Sequence, residues 1–284
     1  MSEKGYAVLN AFLKQFSGDY IDQVIGAKDL HVTEDYYEEI KQVCLNNNIK
    51  FVHRKENYTI NTAVSIVISW QWLIHHDSKI IIIHDSILPK YRGFAPLVNA
   101  LINGEKEIGA TALIANAEFD KGDIISQKRI SIQYPIKIKD AIKIIAELYV
   151  QLVLEIASKI IAGNQLTQTK QNESEATYSL WRDERDYKLD WNDSSEKLKR
   201  MIDSLSAPYN GALTEINLVP ARITDAELVE DVVVENRTPG KVLFMANAYP
   251  IVVCGKGLLK ITAGYFESDH SSILPLTKFR TRFS

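Results

Sequence analysis

Residues 79–93 read Lys79-Ile80-Ile81-Ile82-Ile83-His84-Asp85-Ser86-Ile87-Leu88-Pro89-Lys90-Tyr91-Arg92-Gly93. Four consecutive isoleucines leave no polar face, so 79–83 predicts a strand buried on both sides. Such strands belong to parallel sheets covered by helices. The chain turns polar at His84 and enters a Pro/Gly loop with a basic tip. The carboxyl end of a buried strand is where open α/β sheets hold ligands. A histidine placed there can serve as acid, base or polarising donor near neutral pH. A lone histidine at a strand end is equally an ordinary cap, so the reading needs a second element.

Outward from this strand the first ~165 residues alternate between strand and helix patterns. Residues 63–70 (AVSIVISW) predict another buried strand, with further strands at 20–27 and 109–115 and an antiparallel edge strand at 124–133. Helices are expected at 6–16, 35–47 and 96–103. In 140–162 the apolar residues Ile145, Leu148, Leu152, Ile156 and Ile160 recur at three- and four-residue steps. Lys143, Glu147, Gln151, Glu155 and Lys159 interrupt them and Gly163 supplies a stop, which describes an amphipathic helix on a core rather than a membrane span. The stretch 167–177 (TQTKQNESEAT) is polar and aperiodic and reads as a linker. Beyond it come a helix at 194–205 and short strands at 211–218, 227–235, 241–245, 251–254 and 258–263, the spacing of a small open β-barrel. The expected fold class is therefore α/β. A Rossmann-like, mostly parallel sheet fills 1–166, a linker 167–177, and a smaller β-rich, OB-like domain 178–284.

The composition of the 284 residues, 46% hydrophobic and 24% charged, excludes a disordered or low-complexity chain. A net charge of -3 gives no general affinity for nucleic-acid phosphate or anionic membrane. Residues 1–170 carry 19 basic and 19 acidic groups; residues 171–284 carry 14 and 17. The start MSEKGYAVLNAF is too short and too charged for a signal peptide. Cys44 and Cys254 lie far apart in apolar surroundings, which excludes a disulfide framework and a zinc cluster and suits a reducing, cytoplasmic compartment.

The second element is Glu118-Phe119-Asp120-Lys121-Gly122-Asp123, 36 residues beyond His84 counted to Asp120. Gly122 permits a tight turn that aims Asp120 inward, although D-x-G-D alone also fits a solvated turn. Taken together, HDSILPKYRG, GEKEIGATAL and EFDKGDII resemble the folate-dependent formyltransferases, in the branch that holds methionyl-tRNA formyltransferase and the sugar N-formyltransferases. The likeness is close over 81–125. It extends loosely through Leu189-Asp190-Trp191, Ala207-Pro208-Tyr209-Asn210-Gly211-Ala212 and Thr238-Pro239-Gly240-Lys241-Val242.

That resemblance implies formyl transfer from N10-formyltetrahydrofolate to an amine, without a metal, with His84 and Asp120 as the catalytic pair. The family pattern is Asn-x-His with the asparagine in the oxyanion hole, whereas this chain reads Ile82-Ile83-His84. Asn99 is the first candidate replacement, ahead of Asn61 and Asn116; backbone amides or His84 alone are others, and a dead site is the remaining alternative. The folate's pterin is expected along the loops carrying Trp70, Trp72 and Leu73 and Asn116, Glu118 and Phe119, with Leu88 beside them; the tryptophans also fit a core at a strand end. Only Met1–Gly5 precede the first helix, where family members have a full strand. Lys4 and the Gly5 amide are thus placed to face an anionic substrate, or else form a solvated terminus. Arg92 at the basic tip, and Trp181 with Arg182, are the other substrate-binding candidates, the last two as a nucleotide clamp or as interface packing.

Two acceptors follow from the resemblance. tRNA requires a basic surface, which 171–284 lacks. A nucleotide-linked amino-deoxy sugar is therefore expected, of the UDP-4-amino-4,6-dideoxyhexose kind (pseudaminic or bacillosamine type) used for surface glycans. Methionyl-tRNA formylation and a catalytically impaired folate- or nucleotide-binding module are the alternatives. An apolar patch on the barrel would point to a homodimer.

Overall fold

A computed structural model describes residues 1–284 except Leu30, His31, Thr33, Gln71, Leu73, His75, His76 and Asp77. The chain divides into two units. One comprises Met1–Leu97, Glu107–Ile132 and Asp140–Leu180, the other Val98–Lys106, Gln133–Lys139 and Trp181–Ser284.

In the first unit α1 (Glu3–Gln15) starts three residues earlier than expected, because the Ser2 hydroxyl caps it by accepting from the Gly5 amide at 3.3 Å. β1 (Gln23–Gly26), α2 (Tyr37–Asn46) and β2 (Lys50–His53) follow. β1 and β2 pair in parallel as a separate two-stranded sheet. The four residues of β2 are too few to show a period in the sequence. Leu9, Ile40, Cys44 and Ile49 form the local core.

The rest of this unit holds β3 (Val64–Ile68), β4 (Lys79–His84), β5 (Arg92–Gly93), the start of α3 (Pro96–Asn103), β6 (Glu107–Ile114), β7 (Ile124–Ser131), most of α4 (Ile138–Ile161) and β8 (Tyr178–Ser179). The main sheet has the order β3-β4-β6-β7. β3 runs parallel to β4, with Ile68 opposite Ile83, whereas β6 is antiparallel to β4 and β7 to β6. The isoleucine strand thus meets a parallel neighbour on one side and an antiparallel one on the other. Ile81 and Ile83 are buried, as are Ile145, Tyr149, Leu152 and Ile156 of α4. Among the described residues no helix is long and apolar enough to cross a membrane.

Residues 167–177, expected as a linker, are instead a strap on the first unit. Thr169 and Ile124 exchange two backbone bonds of 2.8 Å, the Tyr91 amide donates to Thr177 Oγ1 at 2.9 Å, and β8 pairs in parallel with β5. Bonds to distant segments, most of them backbone to backbone, fix this stretch, and isolated bonds of that kind leave no periodicity to read.

The second unit contains α5 (Ser195–Leu205) and an antiparallel sheet of β9 (Ala212–Ile216), β10 (Val219–Val229), β11 (Val242–Ala246), β12 (Tyr249–Val253) and β13 (Leu258–Phe266), ordered β11-β12-β13-β10-β9. Asn217-Leu218 and Asn247-Ala248 turn the β9–β10 and β11–β12 hairpins with positive φ at both positions, the I′ geometry that matches strand twist. The strand expected at 227–235 is displaced: β10 ends at Val229. Asp231 then accepts from the amides of Val232 and Gly257 and from Arg237, holding the apolar valines that follow in a loop. Glu215 and Ser284 exchange two backbone bonds, and the Phe283 amide donates to Gly240 O at 2.7 Å. The last residues therefore bridge β9 to the segment entering β11, drawing the two sheet edges together.

Candidate active site

β3 and β4 are parallel, so the chain leaves both at the same sheet edge, placing Trp70 and His84 on one side. His84 is 8% exposed. Its Nε2 lies 2.9 Å from Tyr91 O, and since a carbonyl only accepts, Nε2 carries hydrogen. Nδ1 faces Asp120 Oδ2 at 3.6 Å.

Asp120 reaches this position by an indirect route. Because β6 is antiparallel to β4 it ends beside Ile80, where the Ala115 amide donates to Ile80 O at 2.9 Å. The loop must therefore travel back along β4 to meet His84. Gly122 is required there for close approach, since a Cβ would lie 1.5 Å from Ile114 O. The residue in the left-handed region is Asp120 itself, φ 54°, which corrects the tight-turn role expected of Gly122. Asp120 Oδ2 accepts from the Gly93 amide at 2.8 Å, so the loop after His84 grips the carboxylate it faces.

A second polar cluster touches the same strand end. Lys4 Nζ donates to Asp85, and the Tyr149 hydroxyl shares its one hydrogen between Asp85 and Ile83 O, the latter 2.7 Å away. Burial pushes the Asp85 carboxyl up, but the Lys4 charge and the bonds from Lys4 and Tyr149 outweigh it and hold the group below the usual carboxylate range. Burial, then the Asp85 charge, drives the Tyr149 phenol well above its ordinary value. Thr111 Oγ1 donates to Ser86 O at 2.7 Å and Gln127 Nε2 to Leu88 O at 3.0 Å, which orders the loop between His84 and Pro89.

The formyl transferase family profile matches residues 34–177, and that of the formyl transferase C-terminal domain matches residues 183–272. The chain belongs to the formyl transferase family. Members of this family are folate-dependent formyl-transfer enzymes. Among curated relatives, a methionyl-tRNA formyltransferase of Clostridium novyi is 26% identical over 78% of this chain and 76% of its own length. Another, from Caldanaerobacter subterraneus, is 33% identical over 63% of this chain and 56% of its own length. Several such relatives are matched over little more than half their length. In fold, the chain is similar to an N-formyltransferase of Helicobacter canadensis, solved with folinic acid and dTDP-3-aminofucose. That likeness has a TM-score of 0.70 at 19% identity and covers 93% of this chain and 96% of the other. WlaRD, a sugar 3N-formyl transferase solved with dTDP and 5-N-formyl-THF, gives a TM-score of 0.68 at 21% identity over 91% and 93%.

Against this formyl transferase frame, several expected site residues change role. Arg92 is fully buried, with its guanidinium on Gln171 and Glu173, so it has no free edge for an anionic substrate. Lys4 is neutralised by Asp85, and the Gly5 amide is taken up by the Ser2 cap. Leu88 is 3% exposed and is core rather than pocket wall. Asn99 and Arg182, expected as oxyanion donor and phosphate partner, meet each other in the second unit. Arg182 Nη1 donates to Asn99 Oδ1 at 2.9 Å and Nη2 to Asp186 O at 2.6 Å. Asn116 Oδ1 caps its own loop by accepting from the Glu118 amide at 3.0 Å, and Glu118 pairs with Lys121.

The aromatic residues remain at surfaces. Trp70 and Trp72 meet edge to face at 5.0 Å, with the Arg54 guanidinium 3.9 Å over the Trp72 ring. Phe119 is 65% exposed and lies 5.8 Å from the ring of Phe94. Trp181 is exposed on the second unit. Leu73 lies outside the described residues. Sequence reasoning missed Asp85, Tyr149 and Gln171. A tyrosine on the buried stripe of α4 was a usable signal, because a buried phenol must find a partner. Gln171, inside a polar run, carried none.

Proposed function

We propose that this chain moves the formyl group of N10-formyltetrahydrofolate to the amine of a nucleotide-linked amino-deoxy sugar, in the cytoplasm. The His84–Asp120 pair carries the reading. With hydrogen on Nε2, the neutral imidazole presents the Nδ1 lone pair to a carboxylate oxygen at 3.6 Å. Two acceptors facing each other are completed by a proton, and an attacking amine has one to lose. The amine nitrogen bonds to the formyl carbon and the bond from that carbon to N10 breaks. The proton shed by the amine is taken by the His84–Asp120 pair, and a proton is returned to N10. Charge developing on the formyl oxygen needs a donor. Ile82, on the His84 face of β4 by strand alternation, offers none, and the positive charge of the protonated imidazole is what this strand end supplies against it.

The donor site fits what the residues offer. The Trp70 Nε1 is buried without a partner among the described residues, a donor waiting for an acceptor such as a pterin presents. Trp70, Trp72 and Phe119 supply flat apolar surface for the ring. For the acceptor, support comes from the acid excess of residues 171–284 and from the near end-to-end likeness to sugar N-formyltransferases. A UDP-linked 4-amino-4,6-dideoxyhexose is the specific acceptor proposed. Methionyl-tRNA is the second reading, favoured by the identity of the curated relatives.

The test is formyl-folate consumption with a panel of UDP-, GDP- and dTDP-linked amino sugars and with charged initiator tRNA. Formylated sugar nucleotide, with no formyl-methionyl-tRNA at physiological salt, is expected. Formyl-methionyl-tRNA made at a competitive rate overturns the acceptor assignment.

A further inference from the structure

The side chain of Gln171 joins the two loops that present His84 and Asp120. Its Nε2 donates to Asp120 O at 2.7 Å and to Gly122 O at 2.8 Å. Its Oε1 accepts from Arg92 Nε at 3.0 Å and Nη2 at 2.8 Å. A carboxamide has two donor hydrogens and two acceptor lone pairs, and all four are used. Arg92 is itself fully buried and is held from the other side by both oxygens of Glu173.

We propose that Gln171 is a positioning residue for Asp120, fixing the left-handed loop so that the carboxylate stays opposite His84. Asp120 sits at φ 54°, a conformation the loop does not adopt freely, and the carbonyls of residues 120 and 122 converge on one NH2 group. Without those two donors both carbonyls lose their shared partner and the loop can relax. Misplacing a reacting group by about 1 Å costs as much as ~100-fold in rate. The inference rests on the reading of His84 and Asp120 as the transfer pair.

Gln171→Glu separates this role from simple anchoring of the strap, because glutamate keeps both acceptors for Arg92 but replaces the two donors to the Asp120 loop with an oxygen that repels both carbonyls. Three amides report the outcome by hydrogen exchange without any need for turnover. Gly93 N–H is bonded to the Asp120 carboxylate, whereas Arg92 N–H is bonded to Thr177 O of the strap and Phe94 N–H to Ser179 O of β8, which continues it. In Gln171→Glu the Gly93 amide is expected to exchange about tenfold faster, with Arg92 and Phe94 unchanged. Turnover with the best acceptor of the panel is expected to fall by about tenfold at unchanged formyl-folate KM. If all three amides accelerate together Gln171 only anchors the strap, and if none does it holds neither loop; either result overturns the proposal. If His84→Ala keeps full turnover, the site reading fails, and with it the role given to Gln171 in transfer. If His84→Ala is inactive while Gln171→Glu matches the parent in exchange and kcat, the positioning role alone falls.

Discussion

The two units are built in contrasting ways. In the second, strands pair with their sequence neighbours: β9 with β10 across Asn217-Leu218, and β11 with β12 across Asn247-Ala248. In the first, the polar contacts around His84 join residues far apart in the chain, 81 positions for Lys4 and Asp85, 64 for Tyr149 and Asp85, and 51 for Gln171 and Asp120. A hairpin is specified by a few residues and apolar alternation. A pair of side chains held at 3.6 Å is specified only when remote segments each supply a buried bond. Single substitutions at the His84–Asp120 pair should therefore remove chemistry with the fold intact, while in the hairpins of the second unit they alter stability alone.

The sharpest way to break that contrast is His84→Ala. Turnover is expected to fall at least ~100-fold, worth about 2.7 kcal/mol of barrier, with the melting temperature nearly unchanged; a folded variant with normal turnover would remove the site from this strand end.

Lys4→Met comes next. It strands the Asp85 carboxylate beside Tyr149, and a buried charge left without its partner costs about 2 kcal/mol. Denaturant unfolding should show the loss, and adding Asp85→Asn should recover most of it. Equal losses in the single and double variants would mean that the ion pair contributes nothing beyond packing.

An acid titration of stability gives a smaller effect. Bonds from Lys159 and Lys128 bring the Glu155 carboxyl down to about 2. A depressed carboxyl contributes stability above its unfolded pKa and loses it as pH falls through the folded one, so the window runs from about 4.5 down to about 2. Glu155→Gln should lose less melting temperature across that window, by ~2–4 °C for about 1 kcal/mol. Identical curves for the two proteins would show the pair to be fully screened.

The smallest effect belongs to the second unit. Leu218 sits exposed at φ 71°, where a branched side chain is strained. Leu218→Gly should stabilise by about 0.5 kcal/mol and leave formyl transfer untouched, because the entropy glycine adds to the unfolded chain offsets part of the relief. A fall in melting temperature would show that the leucine side chain contributes packing that outweighs the strain.

Much of the architecture was legible in the sequence. The isoleucine strand, α3, the amphipathic α4 and most barrel strands lie where period and turn residues put them, because burial on one or both faces leaves a local pattern. His84 and Asp120 were singled out only through the resemblance of HDSILPKYRG and EFDKGDII to the formyltransferases, and the fold brings the two side chains to 3.6 Å. The antiparallel direction of β6 could not be read, since alternation is the same for either direction. Nor could the strap at 167–177, the burial of Arg92, or the meeting of Asn99 with Arg182. Each is settled by which polar group finds a partner once the chain has closed, and a polar residue in sequence reads alike whether it ends in water or in a buried bond. The sequence by itself determined most of the elements, through burial periodicity and turn residues. The tertiary structure decided their partners, because a buried hydrogen bond is a property of two segments and neither one carries it alone.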